Sequence, residues 1–577
     1  MSAHARESIQ PRSTQEGAKS ALLFLLLLGT LLHVAIYFNR FEVPNTDFFA
    51  FRRDALAYLR LDLPENFKRA PLYPLLMGAV SLLMPGPEPE LLAGEVVNLL
   101  LTLLLVYLTF RIATALVGNA GWLVAFGVAL SPVFMPSASQ PLAEATLAVG
   151  IALTAYLAMR DSAWAYLAAA AASMTRYEAA LLLPLLVLKD LWQRKQVVPT
   201  LLRAAAAGVP LALWFLLSLV HRQEVNPYVG EMARLKPAGL GNLVSCVAIS
   251  LKFLLPVARR LQALLGVSLP QGLAVGGAMV VLAVVFLGLV GIGKKTNPIG
   301  WLLALFFAGY LFIHTFLWWA IEERYTYVVL WIVFLGIVAA ARELSWRGPA
   351  LQGRGLRIAV VVAVLLVAVA AAVVAARRLG YTIAIVYGLF AAAGLVGALL
   401  VRQRPLDVAA VVLGLLVVGA PLGGTVVTAN DMAKMRHYRA PYRLAGEWLH
   451  AHVAEDTRVV SLLPLTLAYY AGLPERQVRG YFTFSASDCA DFLAQLREER
   501  VDYVLWDSQA AAERRAYGSV LHRVDLMRCL FSDGGDAVAP GLALEAVISA
   551  DHKRLRIFRV EHEVETSPPS SSTTVPR

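Results

Sequence analysis

The chain has 577 residues, of which 58% are hydrophobic and 16% charged, and its 51 Lys and Arg against 40 Asp and Glu leave a formal charge of +11. With a mean hydropathy of +0.63 and apolar runs recurring along most of its length, it is excluded from the ordinary soluble class. In such a chain the basic excess marks cytoplasmic loops, and no nucleic-acid partner is expected.

Arg6, Arg12 and Lys19 precede a first apolar run ending at Phe38. No small-residue cleavage pattern follows it, so it reads as an uncleaved anchor behind a cytoplasmic tail, 1–19. Next comes a loop, 39–90, that crowds acids, bases and aromatics together. Asp47 opens a segment in which Phe48, Phe51, Ala55, Tyr58 and Leu59 recur at helical spacing. Arg52, Arg53 and Arg60 take the other positions, the pattern of a helix lying flat in a membrane interface. Lys68 and Arg69 then lead into Pro71–Met84, an apolar stretch too short to cross a bilayer easily, which reads as re-entrant or interfacial.

Further apolar segments lie at 91–117, 120–136, 141–159, 163–174, 178–192, 200–219, 271–292, 299–319, 325–342, 356–376, 381–401 and 407–428. Together with the first run they predict about 13 transmembrane helices over 20–428. Odd parity puts the two ends of the chain on opposite faces. Lys189/Arg194/Lys195, Lys294/Lys295, Arg342/Arg347/Arg354/Arg357 and Arg402/Arg404 fall in alternate loops, as a cytoplasmic N-terminus requires; only Arg377/Arg378 disagree.

From 429 to 564 the composition turns mixed, and we expect a small α/β domain outside the cytoplasm. Arg458–Leu463 and Asp502–Trp506 read as strands, Asp488–Glu499 as an amphipathic helix, and Leu544–Ile548 with Leu555–Val560 as a hairpin. The Ser/Thr/Pro-rich tail, 565–577, is expected to be disordered. Cys489 and Cys529 share the outer domain, either as one bridge or as two small buried hydrophobes.

With this topology, Asp47, Arg69, Glu144, Arg176, Glu178, His314, Glu322, Glu323 and Arg324 all fall at the outer rim. Ionisable groups near membrane depth are costly, which makes them functional candidates. Each also has a structural reading. Glu144 follows Gln140-Pro141 at a helix start, where an acid complements the dipole. Arg176 suits a tight turn, and His314 suits an intrahelical hydrogen bond. Asp54 reads as a solvated charge, yet it shares a helical face with Asp47 and is its rival.

The run Lys68-Arg69-Ala-Pro-Leu-Tyr-Pro, the Gln140-Pro141-Leu-Ala-Glu144 and Thr175-Arg176-Tyr177-Glu178 motifs, and Glu323-Arg324-Tyr325 before a late span together resemble the GT-C superfamily of membrane glycosyltransferases. The likeness is to its protein-mannosyltransferase and aminoarabinose-transferase branch. It implies transfer of a sugar from a polyprenyl-phosphate donor to a hydroxyl on a lipid, glycan or protein acceptor, in contact with membrane lipids, at the outer face of the plasma (inner) membrane. It implies further that Asp47 is the catalytic acid or base and Glu144 the second acid, with Arg176 and Arg324 as holders of the donor phosphate. The chemistry fits these residue types: a carboxylate of raised pKa takes the acceptor proton. Guanidinium groups, including Arg69, or a divalent cation held by carboxylates, stabilise the leaving phosphate. The rival readings are a multi-span transporter, which would show inverted repeats and midplane polar groups, and a non-catalytic envelope-assembly scaffold.

Overall fold

Apolar segments in lipid must satisfy their own backbone polar groups, and here they do so as helices. The computed structural model describes residues 12–65, 67–194, 196–222, 240–251, 271–317, 323–343, 381–401, 432, 436–507, 524–531, 538–550 and 553–562. The expected spans at 356–376 and 407–428, the arginines at 347, 354, 357, 377, 378, 402 and 404, and the C-terminal tail lie outside the described residues. The chain divides into two units, Met1–Arg436 and His437–Arg577.

In the first unit the helices are α1 (Arg12–Ala35), α2 (Thr46–Leu59), α3 (Leu72–Ser81), α4 (Pro89–Val117), α5 (Trp122–Leu130), α6 (Phe134–Ala138), α7 (Glu144–Met159), α8 (Trp164–Ser173), α9 (Leu182–Arg194), α10 (Val197–Arg222), α11 (Leu240–Ser250), α12 (Gln271–Lys295), α13 (Ile299–Phe312), α14 (Glu323–Glu343) and α15 (Tyr381–Val401). Six stretches among the described residues are long and apolar enough to cross a membrane: Glu16–Ala35, Pro89–Leu130, Val197–His221, Gly276–Lys295, Ile299–Phe316 and Arg324–Arg342. The protein is a polytopic α-helical membrane protein.

Several expected spans are shorter or broken, and the causes are local. The segment at 120–136 stops at Ser131, whose backbone is extended (ψ 133°) ahead of Pro132, because the proline ring disfavours helix at the preceding residue. The segment at 163–174 yields only α8, ten residues long, about 15 Å at 1.5 Å per residue and half a bilayer core. At 178–192 a 3₁₀ turn, Tyr177–Leu181, precedes α9. Helix α5 is apolar on every face and wholly buried, as such a helix must be.

Close helix approach relies on small residues, the usual device where lipid removes the hydrophobic drive between helices. A Cβ added at Gly288 of α12 would run into the carbonyl oxygen of Gly336 on α14. Gly288→Val is therefore expected to part α12 from α14, costing about 1–3 kcal/mol, and to lower the melting temperature in detergent. An unchanged melting curve would show that these helices do not pack through Gly288.

In the second unit, α16 (Ala440–His452) precedes β1 (Val459–Ser461), α17 (Pro464–Ala471), β2 (Val478–Gly480), α18 (Cys489–Glu498), β3 (Tyr503–Trp506), α19 (Leu526–Leu530), β4 (Leu542–Ala550) and β5 (Lys553–Val560). The five strands form one sheet in the order β2-β1-β3-β5-β4. β1 pairs in parallel with β2 and β3, while β3–β5 and β4–β5 are antiparallel. Strand β1 is buried at all three positions, and Phe492, Leu496, Val504, Leu555, Ile557 and Phe558 belong to the core of this unit, with Ile557 and Phe558 on opposite faces of the sheet. Asp488 caps α18 by accepting from the Asp491 amide at 2.9 Å. Cys489 and Cys529 are disulfide-bonded, which ties α18 to α19. Cys246 is a buried free thiol.

Candidate active site

Asp47 stands in the first turn of α2, where the Asn45 side chain accepts from its backbone N–H at 3.0 Å and fixes the helix start. The burial of Phe48, Phe49, Phe51 and Ala55 seats this helix against the unit. Arg69 lies in the turn before α3, its guanidinium 5.2 Å from the centre of the Phe51 ring. Glu144 occupies the first turn of α7. The chain before it is pinned by Asn98 of α4, whose amide donates to the Gln140 carbonyl and, at 3.0 Å, to that of Leu142. Arg176 is the extended residue between α8 and the 3₁₀ turn that carries Glu178. Arg324 is the second residue of α14.

These segments bring one network together. Asp47 Oδ1 accepts from Arg69 Nη2 at 2.7 Å, and its Oδ2 accepts from Arg324 Nη1. Arg324 Nε lies 3.7 Å from Glu144 Oε1, which accepts from Arg176 Nη1 at 2.9 Å. Arg176 Nε donates to Glu178 Oε1 at 2.6 Å. Arg69, Arg176 and Arg324 thus face Asp47, Glu144 and Glu178, and the six charges balance. Their exposures differ: the side chains of Glu144 and Glu178 are 2% and 3% exposed, that of Asp47 25%. Glu144 Oε2 is buried and has no hydrogen-bond partner among the described residues.

Tyr325 organises the arginines. Its ring lies 4.9 Å from the guanidinium carbon of Arg176 and 5.1 Å from that of Arg324, within cation–π range. Arg324 Nη2 also donates to its hydroxyl at 3.3 Å, and Tyr310 Oη donates to its carbonyl at 2.9 Å. No role was expected for Tyr325 from the sequence, although it adjoins Arg324 in the Glu-Arg-Tyr motif. His314 is buried, with Nδ1 donating to the Tyr310 carbonyl at 2.9 Å. Its ring packs 5.4 Å from that of Tyr325, tilted to it, so it helps to hold the tyrosine that the arginines lie against.

Two expectations are corrected. Asp47 was expected to have a raised pKa. Burial does push it up, but the Arg324 and Arg69 guanidiniums, with Lys68, override this and hold it well below the ordinary carboxylate range. Asp54 was expected to be a solvated charge, yet it is 1% exposed and accepts from Arg53 Nε at 3.1 Å and Nη2 at 3.0 Å. Burial raises its pKa against the pull of Arg53 and Arg69, and its hydrogen bonds go to Arg53 rather than to the arginines that hold Asp47. Glu322 lies outside the described residues, and of Glu323 only the backbone is described. Among the described residues no group of three His, Cys, Asp or Glu side chains is placed to hold a metal; the three carboxylates of the network point at guanidiniums.

No protein family and no curated protein matches this sequence. Solved structures do. ArnT from Cupriavidus metallidurans bound to undecaprenyl phosphate aligns with a TM-score of 0.51 at 14% identity, over 93% of this chain and 97% of that one. The same protein in its apo state gives 0.51 at 15% identity, over 94% and 98%. The likeness is one of fold: the chain shares the overall helical membrane architecture of these structures.

Proposed function

We propose that this protein is an integral membrane glycosyltransferase that moves a sugar from a polyprenyl-phosphate donor to an acceptor hydroxyl on a lipid, glycan or protein. The observation that carries the reading is the Asp47–Arg69–Arg324–Glu144–Arg176 network, assembled from segments far apart in sequence on a fold shared with a protein solved with undecaprenyl phosphate bound. In the reaction the acceptor oxygen attacks the anomeric carbon, the bond from that carbon to the phosphate oxygen breaks, and the hydroxyl proton passes to Asp47. Polyprenyl phosphate leaves with its new negative charge beside Arg69 and Arg324, whose fork geometry suits phosphate. Arg176, held between Glu144 and Glu178, offsets their charge, and Glu144 Oε2 is buried with its acceptor capacity unused among the described residues. Because the carboxylates already bind guanidiniums, the phosphate charge is assigned to the arginines and no step is routed through a metal. The exposed Leu75, Leu82 and Leu83 in and just after α3 give the site an apolar border toward the lipid tail.

The reading includes the topology: about 13 spans, a cytoplasmic N-terminus, and the second unit on the extracytoplasmic face of the plasma membrane. The alternate-loop basic clusters support it. A reporter fused at position 430 should be active only outside the cytoplasm, and one fused at Lys294 only inside; the reverse pattern would put the network on the wrong face. Catalysis is tested by transfer of radiolabelled sugar from a lipid-phosphate donor by the purified protein in vesicles. Absence of transfer to lipid, glycan and protein acceptors would leave the transporter or scaffold reading in its place.

A further inference from the structure

Every guanidinium assigned to the donor phosphate is already engaged by a carboxylate, and the charges in the network cancel. A phosphate that takes these guanidiniums by their forks therefore competes with the acid that already holds them. The three acids are not equally easy to displace. Glu144 and Glu178 are 2% and 3% exposed, and stripping a buried carboxylate of its partner leaves an uncompensated charge in a poorly solvated place. Asp47 is 25% exposed, and both of its oxygens are tied up, one by Arg69 and one by Arg324. Water can reach Asp47 when it is released, so the exchange costs least there.

We infer, on the basis of the transferase reading, that the donor phosphate displaces Asp47 from Arg69 and Arg324, so that binding the donor is what frees the base. The two guanidiniums then serve both acids in turn. Before transfer they face the Asp47 carboxylate and a singly charged phosphodiester. In the step itself the acceptor proton moves onto Asp47 as the anomeric carbon–oxygen bond to phosphate breaks. The negative charge lost by Asp47 is the charge gained by the departing phosphate. Total negative charge beside the arginine pair is unchanged, and the guanidiniums already hold the phosphate that gains it, so the step needs little reorganisation. Tyr325, stacked on Arg324 and Arg176, keeps the forks oriented while the partner changes. Without donor, Asp47 stays clamped and is a poor base toward any hydroxyl, which limits wasteful activation of water.

The exchange makes a prediction opposite to that for an acid that merely positions the arginines. Removing the competing carboxylate should tighten phosphate binding. Undecaprenyl phosphate binding is measured for the full chain in nanodiscs, with uncharged polyprenol as reference. Asp47→Asn and Asp47→Ala are each expected to bind it about tenfold more tightly than the unaltered chain, the size of one charged hydrogen-bond contact released to the ligand. Asp54→Asn, outside the network, should bind as the unaltered chain does. Equal or weaker binding by both Asp47 variants would overturn the exchange, as would equal tightening by Asp54→Asn, which would make the effect one of general charge. If the unaltered chain and Arg324→Ala bound undecaprenyl phosphate no better than polyprenol, the transferase reading itself would fall.

Discussion

Asp47→Asn is expected to reduce sugar transfer by about 10²–10⁴-fold, the usual contribution of a positioned general base, in a protein that still inserts and holds its lipid donor. The amide keeps the volume and can still accept from one of the two guanidiniums, but it cannot take the acceptor proton. The α2 cap does not depend on its charge: the backbone N–H of residue 47 donates to the Asn45 side chain. Asp54→Asn is the contrasting variant. Asp54 lies on the same helix but is buried against Arg53 and makes no bond to Arg69, Arg324 or Glu144, so most activity should remain. Initial rates of transfer in reconstituted vesicles decide between them. Near-normal turnover by Asp47→Asn with a dead Asp54→Asn would move the base one repeat along α2.

Arg324→Ala is expected to lower transfer by about 10²–10³-fold, the cost of removing one preorganised donor from developing charge. The residue touches Asp47 through Nη1, approaches Glu144 through Nε and reaches the Tyr325 hydroxyl through Nη2. Its loss therefore disconnects the two acids. Arg324→Lys should restore only part of the rate, because an ammonium carries the charge without the planar fork and stacks poorly on Tyr325. Arg176→Ala is expected to show a mixed defect, since it also strands the buried Glu144 and Glu178. Rates at saturating and limiting donor separate the effects: if Arg324→Lys matched the unaltered protein in both, the arginine would be a structural ion pair.

Much of the architecture was legible because hydropathy is a local property. A run of apolar residues must form a helix in lipid wherever it sits in the fold. The helix after the first apolar run, the short helix after Pro71 and the strands near 459–461 and 503–506 could be read from composition and periodicity. The breaks in the helices were less legible. Ser131-Pro132 carries its own stop signal, but the ten-residue length of α8 gives none in a stretch of alanines.

The candidate residues were likewise visible one by one, as ionisable groups at the ends of apolar runs, where they are too costly to be accidental. Which of them meet was not. Asp47 and Arg324 are 277 positions apart, and no periodicity links them; only the tertiary packing, α2 on α3 and α4 and α7 on α4 and α14, brings their side chains within bonding distance. The same packing reversed two expectations. Asp54 looks like an ordinary surface acid in sequence, but its burial follows from how α2 lies against its neighbours. The basicity of Asp47 depends on the cations within a few ångströms of it, and the sequence determines which cations exist but not where they stand. Composition and local pattern thus determined a helical membrane protein and the acids and arginines that stand at the ends of its apolar runs. The tertiary structure decided which acid the arginines hold, because electrostatic interaction falls with distance in space and is indifferent to separation along the chain.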